Sequence, residues 1–365
     1  MSIELIISLV KANIVLAVLL TNTILLIWFE RKVVAGMQSR VGPDRAGPFG
    51  ILQTLADAIK LLLKEQILPS KADRAMYLLA PLIALVPSFL IFMIIPLGPD
   101  ITVEWQNAQY TIPLVGADLN VGVLYFLALS SIAVYSVVLA GWSSGSKYPL
   151  LGGVRASAQM ISYEAAMGLA LVPVILYSGS LSLVDIVNSQ SGNLSSSIPI
   201  LNTIVSFIPK WNIFPQFIAF GIFFIAAVAE VNRAPFDLVE AEQELVGGFH
   251  TEYSGFRFAM FFLAEYINMF NMCAITATFF LGGWLGPTFE GILPPIFSVI
   301  MPIIWLGVKT FLLLFVFVWI RATLPRLRYD QLMELGWKRM IPLSLVWLIL
   351  SAIVLGLREF GLPWS

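Results

Sequence analysis

Apolar positions in this chain gather into eight long stretches separated by polar connections. A helix that crosses a bilayer needs about 20 predominantly apolar residues. The stretches that qualify are Ile3 to Phe29, Tyr77 to Leu97, Val121 to Trp142, Ala156 to Tyr177, Phe214 to Val231, Phe256 to Leu281, Ile296 to Ile320 and Ile341 to Leu357. The first carries Lys11 and has no small-residue cleavage site, so it reads as a retained span rather than a signal peptide. The expectation is an all-α integral membrane protein, residues 1–365 forming one polytopic domain.

Two connections depart from simple loops. Within residues 30–75, Leu52, Leu55, Ile59, Leu62 and Leu63 recur at helical spacing, whereas Gln53, Asp57, Lys60 and Lys64 stay off that stripe. An amphipathic helix over 49–65, lying along the membrane interface, is the expected element. Gly42, Pro43, Gly47, Pro48 and Gly50 break regular structure before it. Residues 178–213 are rich in Ser, Gly and Asn and read as a solvated outward loop without chemistry.

Composition agrees with the pattern: 59% of residues are hydrophobic and 12% charged, against about a quarter charged in soluble proteins. A net charge of -1 supplies no concentrated basic face, which argues against a nucleic-acid partner. Basic residues are nevertheless unevenly placed. All except Lys11, Lys210, Lys309 and Arg358 fall in the connections after spans one, three, five and seven. The positive-inside rule puts those connections on the cytoplasmic or equivalent side and both termini opposite.

One cysteine, Cys273, and one histidine, His250, leave no ligand set for a disulfide, an iron–sulfur cluster, a bis-histidine haem or a thiolate zinc site within this chain. The chain is expected to bind no cofactor of its own, and any redox centre belongs to a partner.

Residues 229–265 concentrate the charge. Glu230, Asp237, Glu240, Glu242, Glu244, Glu252 and Glu265 face only Arg233 and Arg257. Crowded carboxylates raise one another's proton affinity, so some of them exchange protons near neutral pH. A solvated acidic loop would be the plainer reading. Glu230 ends one span, however, Glu265 lies inside the next, and Pro235, Phe236, Leu238, Val239, Leu245, Val246 and Phe249 make the 230–256 connection too apolar for solvent.

Glu164 lies within a span that carries no basic residue, and an intramembrane carboxylate is costly enough to be functional by default. Its bland alternative is a protonated acid satisfied by Ser162 or Tyr163. Lys11 reads as a snorkelling residue near a span end. Lys309, deeper, either pairs with a carboxylate or has an interfacial role. Asn268 and Asn271 either extend a hydrogen-bonded path from Glu265 or join helices structurally.

Three segments then resemble a known family. They are ERKVVAGMQSRVGPDRAGPFGILQTLADAIKLLLKE from Glu30 to Glu65, MISYEAAMG from Met160 to Gly168, and EVNRAPFDLVEAEQELVGGFHTEYSGFRFAMFFLAEY from Glu230 to Tyr266. They are similar to subunit 1 of respiratory complex I, also called the H subunit. Length and the long outward loop look most like the A subunit of cyanobacterial and plastid NAD(P)H dehydrogenase-like complexes (NDH-1).

The resemblance implies a subunit at the joint between the redox and membrane arms of a proton-translocating quinone oxidoreductase. Its partners would be the other membrane-arm and peripheral-arm subunits, the latter carrying iron–sulfur clusters, together with lipid. Plastoquinone in a thylakoid membrane is the implied substrate and setting, with a bacterial inner membrane as the other location. It places Arg31, Lys32, Gln38, Arg40, Asp57 and Phe236 along the quinone path. Glu164, Glu230, Arg233, Asp237, Glu240, Glu242, Glu244, Glu252 and Glu265 fall in the proton relay. A stand-alone proton transporter, a structural anchor and the equivalent subunit of a membrane-bound hydrogenase are the rival readings. The electron donor, NADH, NADPH or ferredoxin, is not encoded here.

Overall fold

A computed structural model of the chain describes residues 3–105, 108–193, 209–237, 246–286 and 296–360. Among them, seven helices are long and apolar enough to cross a membrane, and a shorter apolar helix, Phe217–Glu230, stands where the fifth span is expected. The protein is an all-α integral membrane protein.

Helix α1 (Ile3–Met37) has 35 residues, about 52 Å at 1.5 Å per residue. It therefore outruns a hydrocarbon core of about 30 Å and carries Glu30, Arg31 and Lys32 past its apolar part. Ser39, at φ 55°, turns the chain away. A short 3-10 turn at Pro48–Gly50 leads into α2 (Gln53–Leu63), whose Leu52, Leu55, Ile59, Leu62 and Leu63 are exposed along one face. Helix α3 (Arg74–Met93) starts at Asp73, whose carboxylate accepts hydrogen bonds from the amides of Ala75 and Met76 at 3.1 and 3.4 Å. Asp73 thereby satisfies two of the donors that every helix start leaves open.

Between α3 and α4 (Gly122–Ser143) stands a hairpin, β1 (Ile101–Trp105) with β2 (Ala108–Ile112), antiparallel with Ile101 opposite Ile112. Helix α5 (Lys147–Ser178) begins nine residues before the expected span and ends on Gly179, in the left-handed conformation at φ 69°. The outward segment that follows is not wholly solvated. Ser182 caps α6 (Leu183–Ser189), whose Leu183, Ile186 and Val187 are buried in the main core. Its apolar residues come as two pairs, Leu183–Val184 and Ile186–Val187, separated by Asp185, a run too brief for the span pattern to register.

The remaining helices are α7 (Phe217–Glu230), α8 (Gly255–Phe280), α9 (Ile296–Thr323), α10 (Tyr329–Glu334) and α11 (Ile341–Phe360), the last two joined by a π-helical turn. Small residues let the central helices approach closely. A Cβ on Gly141 of α4 would fall 2.5 Å from the Pro149 carbonyl of α5, and one on Gly152 would fall 2.7 Å from the Gly248 Cα. The connections after α1, α4, α7 and α9 meet at one end of the bundle. There the Asp73 amide donates to the Ser143 carbonyl, the Ile67 amide to Ser254 Oγ, and the Leu327 amide to the Pro235 carbonyl.

At the opposite end, Lys309 of α9 donates to the carbonyls of Leu281, Gly283 (2.9 Å) and Leu285, and its ammonium lies 4.3 Å from the centre of the Trp211 ring. Among the described residues the ammonium meets carbonyls and an indole ring, and no carboxylate. The turn after α8 leaves carbonyls that need a donor, and a cation is favoured at a helix C-terminus. Lys11 lies on α1, partly exposed.

Candidate functional site

Where the connections converge, ionic side chains from four separate parts of the chain come together. Glu30 of α1 and Arg233, on the turn after α7, are joined at 3.0 Å, both about 95% buried. Arg233 also reaches Glu265 of α8 at 2.5 Å and lies over the Tyr266 ring at 4.3 Å. Glu30 accepts a second bond from Arg321 near the end of α9. Buried charges persist only when such pairing offsets their desolvation. Asp237, also buried, pairs with Arg326 at 3.3 Å.

Glu230 and Glu164 belong to the same region but are held differently. Ser130 Oγ donates to Glu230, and Ser131 Oγ donates to Glu164. Ser162 and Tyr163, the partners in the bland alternative for Glu164, do not hold it; the Tyr163 hydroxyl donates to the Leu332 carbonyl at 3.0 Å. Among the described residues no cation pairs with either acid, so each can gain or lose a proton without breaking an ion pair.

Gln159 of α5 pins the intervening turn. Its amide donates at 2.8 Å to the carbonyls of both Ala229 and Phe236, and at 3.2 Å to Asn232 Oδ1. Asn232, at φ 53°, takes the left-handed conformation that asparagine tolerates better than most residues. Phe236 is buried edge-on against Tyr163, ring centres 5.4 Å apart.

A cavity of about 70 Å³ opens beside this cluster, lined among others by Ser136, Glu230, Asn232, Arg233, Asp237, His250, Glu265 and Asn268. It is large and polar enough for several water molecules. Burial pushes the His250 imidazole down to about 4, so it stays neutral at physiological pH. Asn268 faces the cavity, whereas the Asn271 amide donates to the Ser88 carbonyl at 2.7 Å and joins α8 to α3. Glu252 enters the site's surroundings through its backbone, its carbonyl accepting from the Tyr77 hydroxyl at 2.8 Å. Glu240, Glu242 and Glu244 lie outside the described residues.

The residues expected along a quinone path form a second group at the same end. Arg31 and Asp57 pair at 2.5 Å, with Gln53 donating to the other carboxylate oxygen at 2.9 Å. Partial burial works to raise Asp57, but the bonds from Arg31 and Gln53 and the Arg31 charge hold it below the usual carboxylate range. Lys32 reaches the Pro43 carbonyl and Asp44, at 3.1 and 3.2 Å, while Arg40 donates to Gln38. All five belong to one local unit, α1 end, loop and α2, and Phe236 stands apart from it in the core.

Glu30, Arg321, Arg326, Ser130, Ser131 and Gln159 belong to the site yet were not singled out in the sequence. An acid directly after an apolar run marked Glu30, and arginines at a span's end marked Arg321 and Arg326, but these are also signs of ordinary interfacial anchoring. Among the described residues no group of His, Cys, Asp and Glu is arranged to hold a metal ion.

Residues 10–352 match the family model described as NADH dehydrogenase. The chain is 47% identical over 362 residues to an NADH-quinone oxidoreductase H subunit of Koribacter versatilis, covering 97% of this chain and 98% of that one. It is 51% identical over 336 residues to an NADH-quinone oxidoreductase H subunit of Syntrophobacter fumaroxidans, covering 92% of each. With the NADH-quinone oxidoreductase H subunit of Frankia casuarinae it shares 51% identity over 346 residues, 94% of this chain and 72% of that protein. A match of this length, over a chain that folds as a membrane bundle around buried paired charges, places the protein in the NADH dehydrogenase family, among the H (or first) subunits of complex I.

Proposed function

We propose that this chain serves as the H-type membrane component of an NADH:quinone oxidoreductase, that it forms part of the quinone cavity, and that its buried acids couple quinone reduction to proton translocation. Membership of the family carries the membrane-component role. The linked ionic cluster Glu265–Arg233–Glu30–Arg321, beside a polar cavity and next to Glu230, is the observation that supports coupling. Iron–sulfur clusters of peripheral-arm partners supply the electrons. In the finer form of this reading the quinone is plastoquinone, the membrane a thylakoid and the assembly of NDH-1 type, which the long outward loop favours.

The chemistry follows from charge. Quinone reduction at the α1–α2 unit adds negative charge and draws protons. Arg31, Lys32 and Arg40 are placed on that unit to meet the polar head, with Asp57 fixing Arg31, while the exposed apolar face of α2 suits an isoprenoid tail. A change of charge there acts on Asp237 and Arg233, whose ion pairs leave little slack, because uncovering one partner of a buried pair costs several kcal/mol. Glu230 and Glu164, held by hydroxyls, respond by taking up or releasing protons, with Glu240, Glu242, Glu244 and Glu252 completing the acidic path.

A stand-alone transporter would need only the intramembrane acids. The paired polar unit beside an apolar helix face favours the quinone reading, and the Gln38 to Pro43 stretch favours it over a hydrogenase component. Gentle solubilisation and tag purification, followed by mass analysis of the assembly, tests the proposal. Recovery with iron–sulfur and antiporter-like proteins supports it and identifies the electron donor. Recovery alone or with hydrogenase proteins overturns it.

A further inference from the structure

Neighbouring serines in the middle of α4, Ser130 and Ser131, each hold a carboxylate from a different helix: Glu230 from α7 and Glu164 from α5. Ser131 has a second acceptor in reach, the Leu127 carbonyl one turn back on α4 at 3.0 Å. A serine hydroxyl carries one proton and two lone pairs, so it can donate to only one of the two acceptors at a time.

We propose that Ser131 is a hydroxyl rotor that positions Glu164 in both of its protonation states, with Ser130 as the fixed counterpart for Glu230. When Glu164 is ionised, the Ser131 proton points to its carboxylate. When Glu164 is protonated, the carboxyl O–H donates to Ser131 Oγ, and the Ser131 proton turns to the Leu127 carbonyl. No donor is stranded in either state and no backbone bond within the helix has to open. Side-chain donation to the carbonyl four residues back is an ordinary option for serine in a helix, which makes the second state accessible.

The consequence is geometric. Adjacent anchor points on one helix bring the two acids to neighbouring positions on α4. Loading one acid therefore changes the field at the other. Ser131 acts through Glu164 and is a positioning residue, in the relay proposed above, on which this inference rests.

The test uses the assembled complex in liposomes. An oxidised-minus-reduced infrared difference spectrum is recorded in the carboxylic C=O region, and its loss in Glu164→Gln identifies the Glu164 band. Ser131→Ala should move that band to higher frequency, as for a carboxyl that has lost its hydrogen bond, and lower the protons translocated per electron. Ser131→Thr, which keeps the hydroxyl, should restore both. If Ser131→Ala fails to assemble, Ser131→Cys, similar in volume with a weaker donor, should give a smaller shift in the same direction. A band that stays in place in the assembled Ala or Cys variant overturns the rotor. A band that moves while the protons per electron stay constant upholds the rotor and overturns the relay. Absence of any Glu164-dependent band in the unmodified complex overturns both.

Discussion

Arg233 and Glu30 are 203 residues apart in sequence and 3.0 Å apart in space. Glu30 sits between two guanidinium groups, those of Arg233 and Arg321. Breaking a buried pair by removing one partner costs about 3–5 kcal/mol. Glu30→Ala, which strips both arginines of a shared anion, is therefore expected to reduce assembled complex and its thermal midpoint more than Arg321→Met does, because in the latter Glu30 keeps its buried partner Arg233. Equal losses in the two variants, measured by native electrophoresis and thermal denaturation, would contradict the pairing.

Lys309 caps the end of α8 through three backbone carbonyls. Lys309→Met leaves the carbonyls of Leu281, Gly283 and Leu285 without this donor, and the buried one, that of Gly283, alone costs about 1–3 kcal/mol when unsatisfied. Hydrogen exchange should accelerate around residues 281–286 in that variant while the distant α1–α2 unit keeps its protection. Unchanged exchange at 281–286 would rule out the capping role.

His250 stays neutral in the folded protein because burial pushes it down to about 4, below its unfolded value near 6.5. Its contribution to stability is fully present above the unfolded value. It is lost as pH falls from about 6.5 to about 4, where the unfolded chain binds the additional proton, a change of up to about 3 kcal/mol. His250→Gln should flatten the fall in thermal midpoint over that interval. Identical profiles for the two proteins would mean that the imidazole is solvated.

The Arg31–Asp57 pair is half-exposed, so Asp57→Asn should cost no more than about 1 kcal/mol. Released from its anchor, Arg31 no longer presents a fixed cation, and the KM for quinone should rise several-fold with kcat changed less. A lowered kcat at constant KM would place Asp57 in a different role.

The spans were legible because continuous apolar runs have few alternatives in a membrane protein. Helix α7, with 14 residues, was legible only with its flanks, since Phe214 and Gln216 precede the helix proper. The β1–β2 hairpin was missed: five residues per strand carry too little alternation to stand out beside 20-residue stretches. Site chemistry was half legible. The acids announced themselves by their cost, but their partners did not. Ser130 and Ser131 are ordinary helix residues, and the carbonyls that hold Lys309 have no sequence signature. Pairings such as Glu30 with Arg233 depend on how α1 packs against distant helices, which no local pattern encodes.

Coupling of quinone reduction to proton movement is the role proposed for these carboxylates. It is tested most directly by counting protons translocated per electron in liposomes containing the assembled complex with Glu164→Gln and Glu242→Gln together. The ratio is expected to fall well below that of the unmodified complex while the variant enzyme remains fully assembled. An unchanged ratio would contradict that role.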